Sequence, residues 1–296
     1  METFPRTTIE LAQFLDLTEK ELCQFAFRIE KNVRIEERPK PKGGTRVITK
    51  PSKKFKALLR KLDSSLLKKV QPHRLLYHKP DSSYIEMVKL HQNKLCLITA
   101  DIDDFYPSIK PNKVFTQLLQ DGFENSVAKL ITRLTTVHHS LPQGFPTSST
   151  IAALILKPVV ARLEGLTKET NLTIGIYADN LAISANYEAH KFKKLVERIF
   201  SQNGYKLDKF KTMTQKDCQE IMNIVLKNGM SVKGEYRREV RKEIFLLSKN
   251  LTKLREIDFI EKRRSIKGKI DSYIEQINAK QAKNLRDYAK EKGVPL

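Results

Sequence analysis

Two short segments, each an apolar strand-like stretch that runs straight into an aspartate, constrain the fold of this chain most. They are ITADIDDFYPSI (98–109), which meets Asp101, and IGIYADNLAISA (174–185), which meets Asp179. Between them lies LPQGFPTSS (141–149), a Pro- and Gly-containing loop that opens a helix-like run. Strand signals between helical patterns predict an α+β fold, in which helices pack against an antiparallel sheet.

Carboxylates at the tips of adjacent strands suit a pair of Mg²⁺ ions, which activate a 3′-hydroxyl and stabilise a leaving pyrophosphate. Either segment alone is weak evidence for such a site, because a strand that ends in aspartate is usually just entering a turn. All three segments in this order resemble the reverse-transcriptase family, specifically the small bacterial enzymes of the retron and phage-defence kind. The family's Tyr-x-Asp-Asp reads Tyr-Ala-Asp-Asn at residues 177–180, so Asn180 replaces the second aspartate.

The resemblance implies a right-hand polymerase with fingers, palm and thumb. Residues 1–90 would supply N-terminal helices and fingers. Residues 91–235 would form the palm, with its antiparallel sheet, the catalytic motifs and interleaved fingers elements. Residues 236–296 would form a short helical thumb.

Local patterns predict several elements. Thr18 to Glu21 is a capping box ahead of a helix. Prolines and Gly43-Gly44 indicate a hairpin with strands near 33–38 and 45–49, and a leucine stripe indicates a helix over 53–70. Helices are also expected over 111–135 and from Ser148 to about Gly165, and a second hairpin around Asn228-Gly229.

The resemblance implies the metal ligands. Asp101 would bridge two Mg²⁺ ions, Asp179 would be the second carboxylate, and the carbonyl of Ile102 would complete the nucleotide-side metal. Four nearby acids cannot all be ligands, so Asp104 is expected to cap or pair locally and Asp103 to face solvent.

Substrate contacts also follow from the resemblance. Tyr106 falls where the family places an aromatic steric gate that excludes the 2′-hydroxyl, so dNTPs would be preferred; an ordinary core role for this ring, with Phe105 as the gate, is the alternative. Gly144 would let the backbone approach the substrate, and the Gln143 amide would bond to template or nucleotide.

Basic residues complete the expected site. Arg46, with Lys40 or Lys42, matches the fingers residues that grip the triphosphate, and arginine suits bidentate phosphate contact. Lys211 matches the family lysine that protonates the leaving pyrophosphate.

Three motifs depart from the family. Asn180 removes a negative charge near the cations, and it is compatible with a natural variant, an engineered inactivating substitution or a natural pseudo-enzyme. Where retron enzymes carry Asn-Ala-x-x-His, residues 87–91 read MVKLH, and where they carry Val-Thr-Gly, residues 221–223 read IMN. The chain is therefore either a divergent retron enzyme or a non-retron defence polymerase.

Charge favours a nucleic-acid partner. The 296 residues include 55 Lys and Arg against 34 Asp and Glu, a net charge of +21. Residues 31–70 hold fourteen basic and three acidic side chains, and residues 251–296 hold twelve and seven. Phosphate neutralisation dominates nucleic-acid affinity, and neither segment has the Trp- and Phe-rich amphipathic face expected at a membrane.

The remaining composition predicts a cytoplasmic protein without a membrane partner. No apolar stretch approaches the roughly 18–20 residues of a membrane span, and the N-terminus lacks signal-peptide features. The three cysteines are far apart and show no metal-ligand spacing.

The leading hypothesis is an RNA-directed DNA polymerase that uses two Mg²⁺ and dNTPs to copy a dedicated structured non-coding RNA into DNA, in antiphage defence. A toxic effector protein would be a further partner. The alternative is an RNA-binding, polymerase-shaped scaffold that restrains a toxic effector without synthesis. A third hypothesis is a polymerase that works without a nucleic-acid template or makes RNA.

Overall fold

The computed structural model describes residues 4–39, 43–70, 74–77, 83–250 and 255–296. The fold is mixed α+β, as predicted, and it divides into two compact units that interleave along the chain. The first unit comprises Met1–Ser83, Ala100–Leu181 and Lys191–Phe210. The second comprises Tyr84–Thr99, Ala182–His190 and Lys211–Leu296. The division into fingers, palm and thumb stays a prediction.

The first unit begins with two capped helices, α1 (Thr8–Phe14) and α2 (Glu19–Phe27). The side chain of Thr7 accepts a hydrogen bond at the start of α1. At α2, Thr18 and Glu21 each bond the backbone N–H of the other, which confirms the predicted capping box.

The predicted first hairpin is confirmed. Strands β1 (Val33–Pro39) and β2 (Thr45–Pro51) pair antiparallel, with Val33 opposite Pro51 and Pro39 opposite Thr45. Residues 40–42 of its connection, which include Lys40 and Lys42, lie outside the described residues.

Helix α3 (Lys53–Ser65) follows directly and buries an apolar stripe that includes Phe55, Leu59 and Leu62. Ser52 caps its start by accepting a hydrogen bond from the N–H of Phe55. The predicted helix over 53–70 therefore exists, although it ends at Ser65 and continues only as a 3-10 turn over 67–69.

A four-stranded sheet carries the two aspartate segments. Its strands are β3 (Cys96–Ile102), β4 (Thr173–Tyr177), β5 (Asn180–Ala185) and β6 (Leu207–Thr214), in the spatial order β4-β5-β3-β6. Because β5 neighbours β3, the ends that carry the two aspartates lie side by side, and both belong to the first unit.

Six more helices complete the first unit: α5 (Phe105–Ser108), α6 (Pro111–Gln120), α7 (Asn125–Thr135), α8 (Ser148–Ile155), α9 (Lys157–Thr170) and α10 (Lys193–Gln202). The predicted helix over 111–135 is broken into α6 and α7, because the chain turns at Gly122 with φ +92°. The predicted helix from Ser148 is broken ahead of Pro158, whose missing N–H cannot continue the ladder.

The second unit contains α4 (Tyr84–Leu90), three short strands and C-terminal helices. The strands are β7 (Glu220–Ile221), β8 (Ile224–Val225) and β9 (Ser231–Val232), and the helices are α11 (Gly234–Lys249), α12 (Glu256–Lys269), α13 (Glu275–Ile277) and α14 (Ala279–Glu291). Antiparallel pairing of β8 with β9 confirms the hairpin predicted around Asn228-Gly229, both of which have positive φ.

Within the described ranges, no helix is both long and apolar enough to cross a membrane. All three cysteines are unpaired, and Cys96 is buried in β3 as expected.

Candidate active site

Asp101 lies near the end of a rigid strand. Its neighbours Leu97, Ile98 and Ile102 on β3 are at most 2% exposed, so packing fixes the strand on which the carboxylate sits. The Asp101 side chain itself is 33% exposed. It is therefore held in place yet open to a ligand.

Asp179 occupies the tight connection between β4 and β5. The turn places Ala178 in the left-handed region with φ +52°, an uncommon conformation for a residue with a Cβ. The N–H of Ile102 donates to the carbonyl of Asp179 at 2.7 Å, which ties the two aspartate segments together. Burial raises the pKa of the Asp179 carboxyl and the charge of Asp101 adds to it, against the opposing cations Arg46 and Lys209.

Asn180 contacts the carboxylate directly. Its Nδ2 donates to Asp179 Oδ1 at 3.0 Å. An aspartate in this position would have no N–H to donate and would place a second negative charge there. The amide therefore orients Asp179 without adding a further negative charge to that of Asp101.

A lysine of β6 pairs with the first aspartate. Lys209 Nζ lies 3.0 Å from Asp101 Oδ2, and this bond together with the charge of Asp101 raises the pKa of the Lys209 ammonium. The Lys209 backbone has φ +52°. The carboxylate of Asp101 thus already binds one cation.

A cavity of about 540 Å³ opens over Asp179. Three cations line it: Arg46 from β2, and Lys56 and Arg60 one turn apart on α3. No ion pair to a carboxylate is found for these three within the described part of the chain. A cavity lined by three cations and a carboxylate suits a polyphosphate with bound metal.

Tyr106, not Phe105, faces this cavity. Tyr106 lines it and its hydroxyl bonds the side chain of Ser149, whereas Phe105 is 3% exposed and packs against Tyr205. Burial raises the pKa of the Tyr106 phenol. Of the two rings considered for the gate, Tyr106 is therefore the one that lines the cavity.

The loop with Gln143 and Gly144 is fastened to the first hairpin. The N–H of Thr49 on β2 donates to the carbonyl of Gln143 at 2.7 Å. Gly144 has φ +118°, and a Cβ there would lie 2.7 Å from the carbonyl oxygen of Thr49. Only glycine fits this close approach. Gln143 and Gly144 both line the cavity, and their contacts with the substrate stay a prediction.

The remaining candidates lie elsewhere. Lys211 belongs to the second unit, where its Nζ lies 3.4 Å from Glu220 Oε1. Lys42 is outside the described residues. Asp103 is exposed and pairs with Lys206 at 3.6 Å, as expected of a solvent-facing acid. Asp104 occupies the N-cap of α5, although its side chain makes no capping hydrogen bond.

Sequence reasoning missed four side chains at this site: Lys56, Arg60, Ser149 and Lys209. A signal existed for the first two, because spacing of four residues places Lys56 and Arg60 on one face of the predicted helix, away from the leucine stripe. No signal distinguished Lys209 from the other lysines of its segment.

The donor set fits Mg²⁺. Within the described residues no group of three or more His, Cys, Asp or Glu side chains forms a metal cage. Mg²⁺ does not need one, since it typically binds through one or two carboxylates plus substrate phosphates and water. The carboxylates of Asp101 and Asp179 are hard oxygen donors of the kind that Mg²⁺ prefers, and the Lys209 ammonium already lies 3.0 Å from Asp101. The Ile102 carbonyl remains an expected third ligand.

Comparison with known proteins gives a family match. Residues 38–237 match the family model described as "Reverse transcriptase (RNA-dependent DNA polymerase)". The retron Mx65 reverse transcriptase of Myxococcus xanthus is 23% identical over 86% of this chain and 64% of its own length. The retron Ec86 reverse transcriptase of Escherichia coli is 25% identical over 70% of this chain and 67% of its own length.

Two further similarities were found. The retron Se72 reverse transcriptase of Salmonella heidelberg (strain 579083-10) is 27% identical over 69% of this chain, which covers 57% of that relative. Among solved structures, telomerase from Candida albicans in complex with a TWJ fragment of telomeric RNA matches 88% of this chain and 63% of that chain, with 11% identity and a TM-score of 0.48. The chain thus spans roughly three-fifths to two-thirds of the length of these three retron relatives.

Proposed function

The chain belongs to the reverse transcriptase family, and we propose that it is a retron-type RNA-directed DNA polymerase that copies a dedicated structured RNA with dNTPs. The observation that carries the proposal is the cavity over Asp179. Asp179, three cations and the ring of Tyr106 line it, and Asp101, the other strand-end aspartate, belongs to the same unit. We assign this cavity to the palm and fingers of a right-hand polymerase and the C-terminal helices to its thumb.

Asp101, Asp179 and the Ile102 carbonyl would hold two Mg²⁺ ions. Bound Mg²⁺ would activate the primer 3′-hydroxyl and neutralise charge on the leaving pyrophosphate. Lys209 keeps the Asp101 carboxylate neutralised before substrate arrives. Asn180 keeps Asp179 oriented through its 3.0 Å hydrogen bond.

The rest of the cavity binds and selects the nucleotide. Arg46, Lys56 and Arg60 contact the triphosphate, for which the planar guanidinium groups offer bidentate hydrogen bonds. Tyr106 packs beneath the sugar and leaves no room for a 2′-hydroxyl. Gln143 and Gly144 place backbone and amide groups next to the base pair. Catalysis then rests on positioning and electrostatics, without a covalent enzyme intermediate.

Lys211 is the proposed proton donor to pyrophosphate. Its test is a comparison of Lys211→Ala with Lys209→Ala in single-turnover extension. Loss of the solvent deuterium isotope effect only in Lys211→Ala supports the assignment. A normal isotope effect in that variant removes it.

The decisive experiment sequences nucleic acid that copurifies from the native cell with the wild-type chain and with Asp101→Asn. Wild-type protein is expected to carry one enriched RNA together with complementary DNA, and Asp101→Asn the same RNA without DNA. The purified chain should also extend a primer on that RNA with Mg²⁺ and dNTPs. RNA of random sequence in both preparations would overturn the proposal.

A second function is favoured by one observation, the replacement of the second aspartate by Asn180. In that case the chain is an RNA-binding scaffold that restrains a toxic effector. Its signature is one enriched RNA, without complementary DNA, in both preparations. A role in phage defence, an effector partner and a cytoplasmic location are parts of the proposal that follow from the retron type.

A further inference from the structure

A second cationic cavity lies in the first unit and shares no lining residue with the candidate active site. It has a volume of about 770 Å³ and lies among the end of α2, the 3-10 turn over 29–32, α6 and α7. Four of its lining residues are cations, Arg28, Lys31, Lys129 and Arg133, against one acid, Glu30. All four cations are exposed, and none pairs with a carboxylate of the described chain.

An exposed aromatic ring stands at this cavity. Phe27, the last residue of α2, is 62% exposed, which is unusual for a phenylalanine. The guanidinium of Arg133 lies 4.4 Å from the centre of its ring. The Phe27 ring is thus exposed to solvent with a cation over it, and Phe115 adds a second, half-buried ring to the lining.

The cations continue into a neighbouring cavity. Arg28 and Lys31 also line a cavity of about 610 Å³ whose wall includes Lys54 of α3 and Phe25 of α2. The two cavities share Arg28 and Lys31 and so form one path of repeated cations. Phe27 is its exposed ring, whereas Phe25 is half-buried and stacks on Phe55. We call this path the α2 groove.

We propose that the α2 groove binds a single-stranded nucleic acid, with one base stacked on Phe27 and the backbone phosphates on Arg28, Lys31, Lys129 and Arg133. Alternation of cations with exposed rings is how proteins bind single strands without reading sequence. A duplex keeps its bases stacked and cannot present one to Phe27. An acidic peptide would use the cations but has no need of the ring. The inference rests on the nucleic-acid partner of the proposed function, though not on synthesis.

Two substitutions at Phe27 distinguish the loss of base stacking from a general disturbance of the fold. Phe27→Leu keeps an apolar side chain but removes the ring, and Phe27→Tyr keeps the ring. Affinity for a labelled 12-nucleotide single-stranded RNA, the same DNA sequence and the matching duplex is measured by fluorescence anisotropy. Phe27→Leu should weaken single-strand binding about 5- to 150-fold, which is the effect of losing one stacked base, worth about 1–3 kcal/mol. Phe27→Tyr should bind single strands like wild type.

The phosphate contacts are tested with a matched charge change. Lys129→Ala with Arg133→Ala should weaken binding of single strands and flatten its salt dependence. The control is Arg162→Ala with Arg198→Ala, which removes two exposed cations of the same unit outside the groove. Equal affinity for RNA and DNA would show that only phosphates and bases are read, and stronger RNA binding would add a contact to the 2′-hydroxyl.

Photocrosslinking locates the site independently of catalysis. RNA carrying 5-bromouridine should crosslink to peptides of α2 or α7, and it should do so in Asp101→Asn as well. If the wild type extends no primer yet crosslinks here, the proposed synthesis fails and the groove stands. Crosslinks confined to other peptides, equal effects of Phe27→Leu and Phe27→Tyr, or stronger displacement by polyglutamate than by single-stranded DNA would overturn the inference.

Discussion

At the scale of single residues, Asn180 affects the site through one hydrogen bond to Asp179. Its amide donates to Asp179 Oδ1, so the structure gives this residue an orienting contact that an aspartate cannot make. We expect Asn180→Asp to leave primer extension within about tenfold of the present rate or to lower it, because the new carboxylate removes the donor and repels Asp179. Single-turnover extension with Mg²⁺ measures this. Asn180→Ala is the control that removes the donor without adding charge.

Two outcomes discriminate the readings of Asn180. A rise of about a hundredfold or more in Asn180→Asp, roughly 3 kcal/mol of transition-state stabilisation, would show that the present residue is an inactivating change. Asp101→Asn shows how far the rate of primer extension falls when an expected metal ligand is lost. It should lower that rate far more than Asn180→Ala does.

Tyr106 is the residue expected to select the sugar. Tyr106→Ala should raise the efficiency with which rNTPs are used relative to dNTPs by one or more orders of magnitude, about 1.4 kcal/mol per tenfold. The ratio of kcat/KM for the two nucleotide classes measures it. Because the Tyr106 hydroxyl bonds Ser149, Tyr106→Phe is the control that removes this bond and keeps the ring. An unchanged ratio in Tyr106→Ala would return the ring to a packing role.

His91 makes the stability of the fold depend on pH. It is fully buried, its Nδ1 lies 2.7 Å from Ser184 Oγ, and burial, with the nearby charge of Lys94, lowers its pKa to about 3. The unfolded chain binds a proton below the ordinary pKa of about 6.5, and the folded chain does not until about 3. The neutral His91 ring therefore contributes its full stabilisation above pH 6.5, and this contribution is lost as the pH falls toward 3.

The expected size is about 1.4 kcal/mol of unfolding free energy lost between pH 7.5 and 5.5 because of this residue. Urea unfolding of the wild type and of His91→Leu with Ser184→Ala at both pH values measures it. The double variant removes both members of the pair, so neither remains buried without its partner. The same pH sensitivity in both proteins would contradict the assignment.

At the scale of elements, the fit between the Gln143 loop and β2 depends on Gly144. Gly144→Ala puts a Cβ 2.7 Å from a backbone oxygen at a positive φ, so the loop must shift. We expect a loss of about 1–3 kcal/mol of stability and a higher KM for nucleotide. Gly165→Ala is the matched control: it lies within α9, no atom is within 4 Å of the added Cβ, and helix propensity should make it neutral or stabilising.

Urea midpoints and nucleotide titrations of the two variants provide the measurement. If Gly144→Ala behaves like Gly165→Ala in both, the close approach to β2 is unimportant.

Elements that a short sequence pattern specifies could be predicted. Features that depend on contacts between residues far apart in the chain could not. The capping box at Thr18, the first hairpin and the two aspartate strands follow from short-range patterns, and the structure confirms them. The convergence of β2, α3 and the Gln143 loop on one cavity depends on packing, such as the edge contact of Phe55 with Phe145 at 5.6 Å. Nothing in the sequence marks Lys209, because its partner Asp101 lies 108 positions away in the chain and meets it only through the pairing of β6 with β3.

At the scale of the whole molecule, the net charge of +21 predicts strongly salt-dependent binding of structured RNA. The basic residues 31–70 include the first turn of α3, where Lys53 and Lys54 are exposed and Lys56 lines the active-site cavity. Reversing these three to glutamate should lower affinity across RNA sequences. It should not weaken the helix, since acidic side chains are favourable at a helix N-terminus that now has none.

The slope of log affinity against log salt tests whether these lysines contact phosphates. If all three do, the triple reversal should reduce the slope by about 2, at roughly 0.7 per phosphate contact on a single strand. The control reverses Lys89, Arg162 and Arg198, three exposed cations outside residues 31–70 and 251–296, and so changes net charge equally. If only net charge matters, both triple variants should lose RNA affinity equally. If the lysines of α3 contact the RNA, only their reversal should lower the affinity. A flat slope in the wild type would contradict the electrostatic basis of binding, because a chain that neutralises phosphates must release counterions.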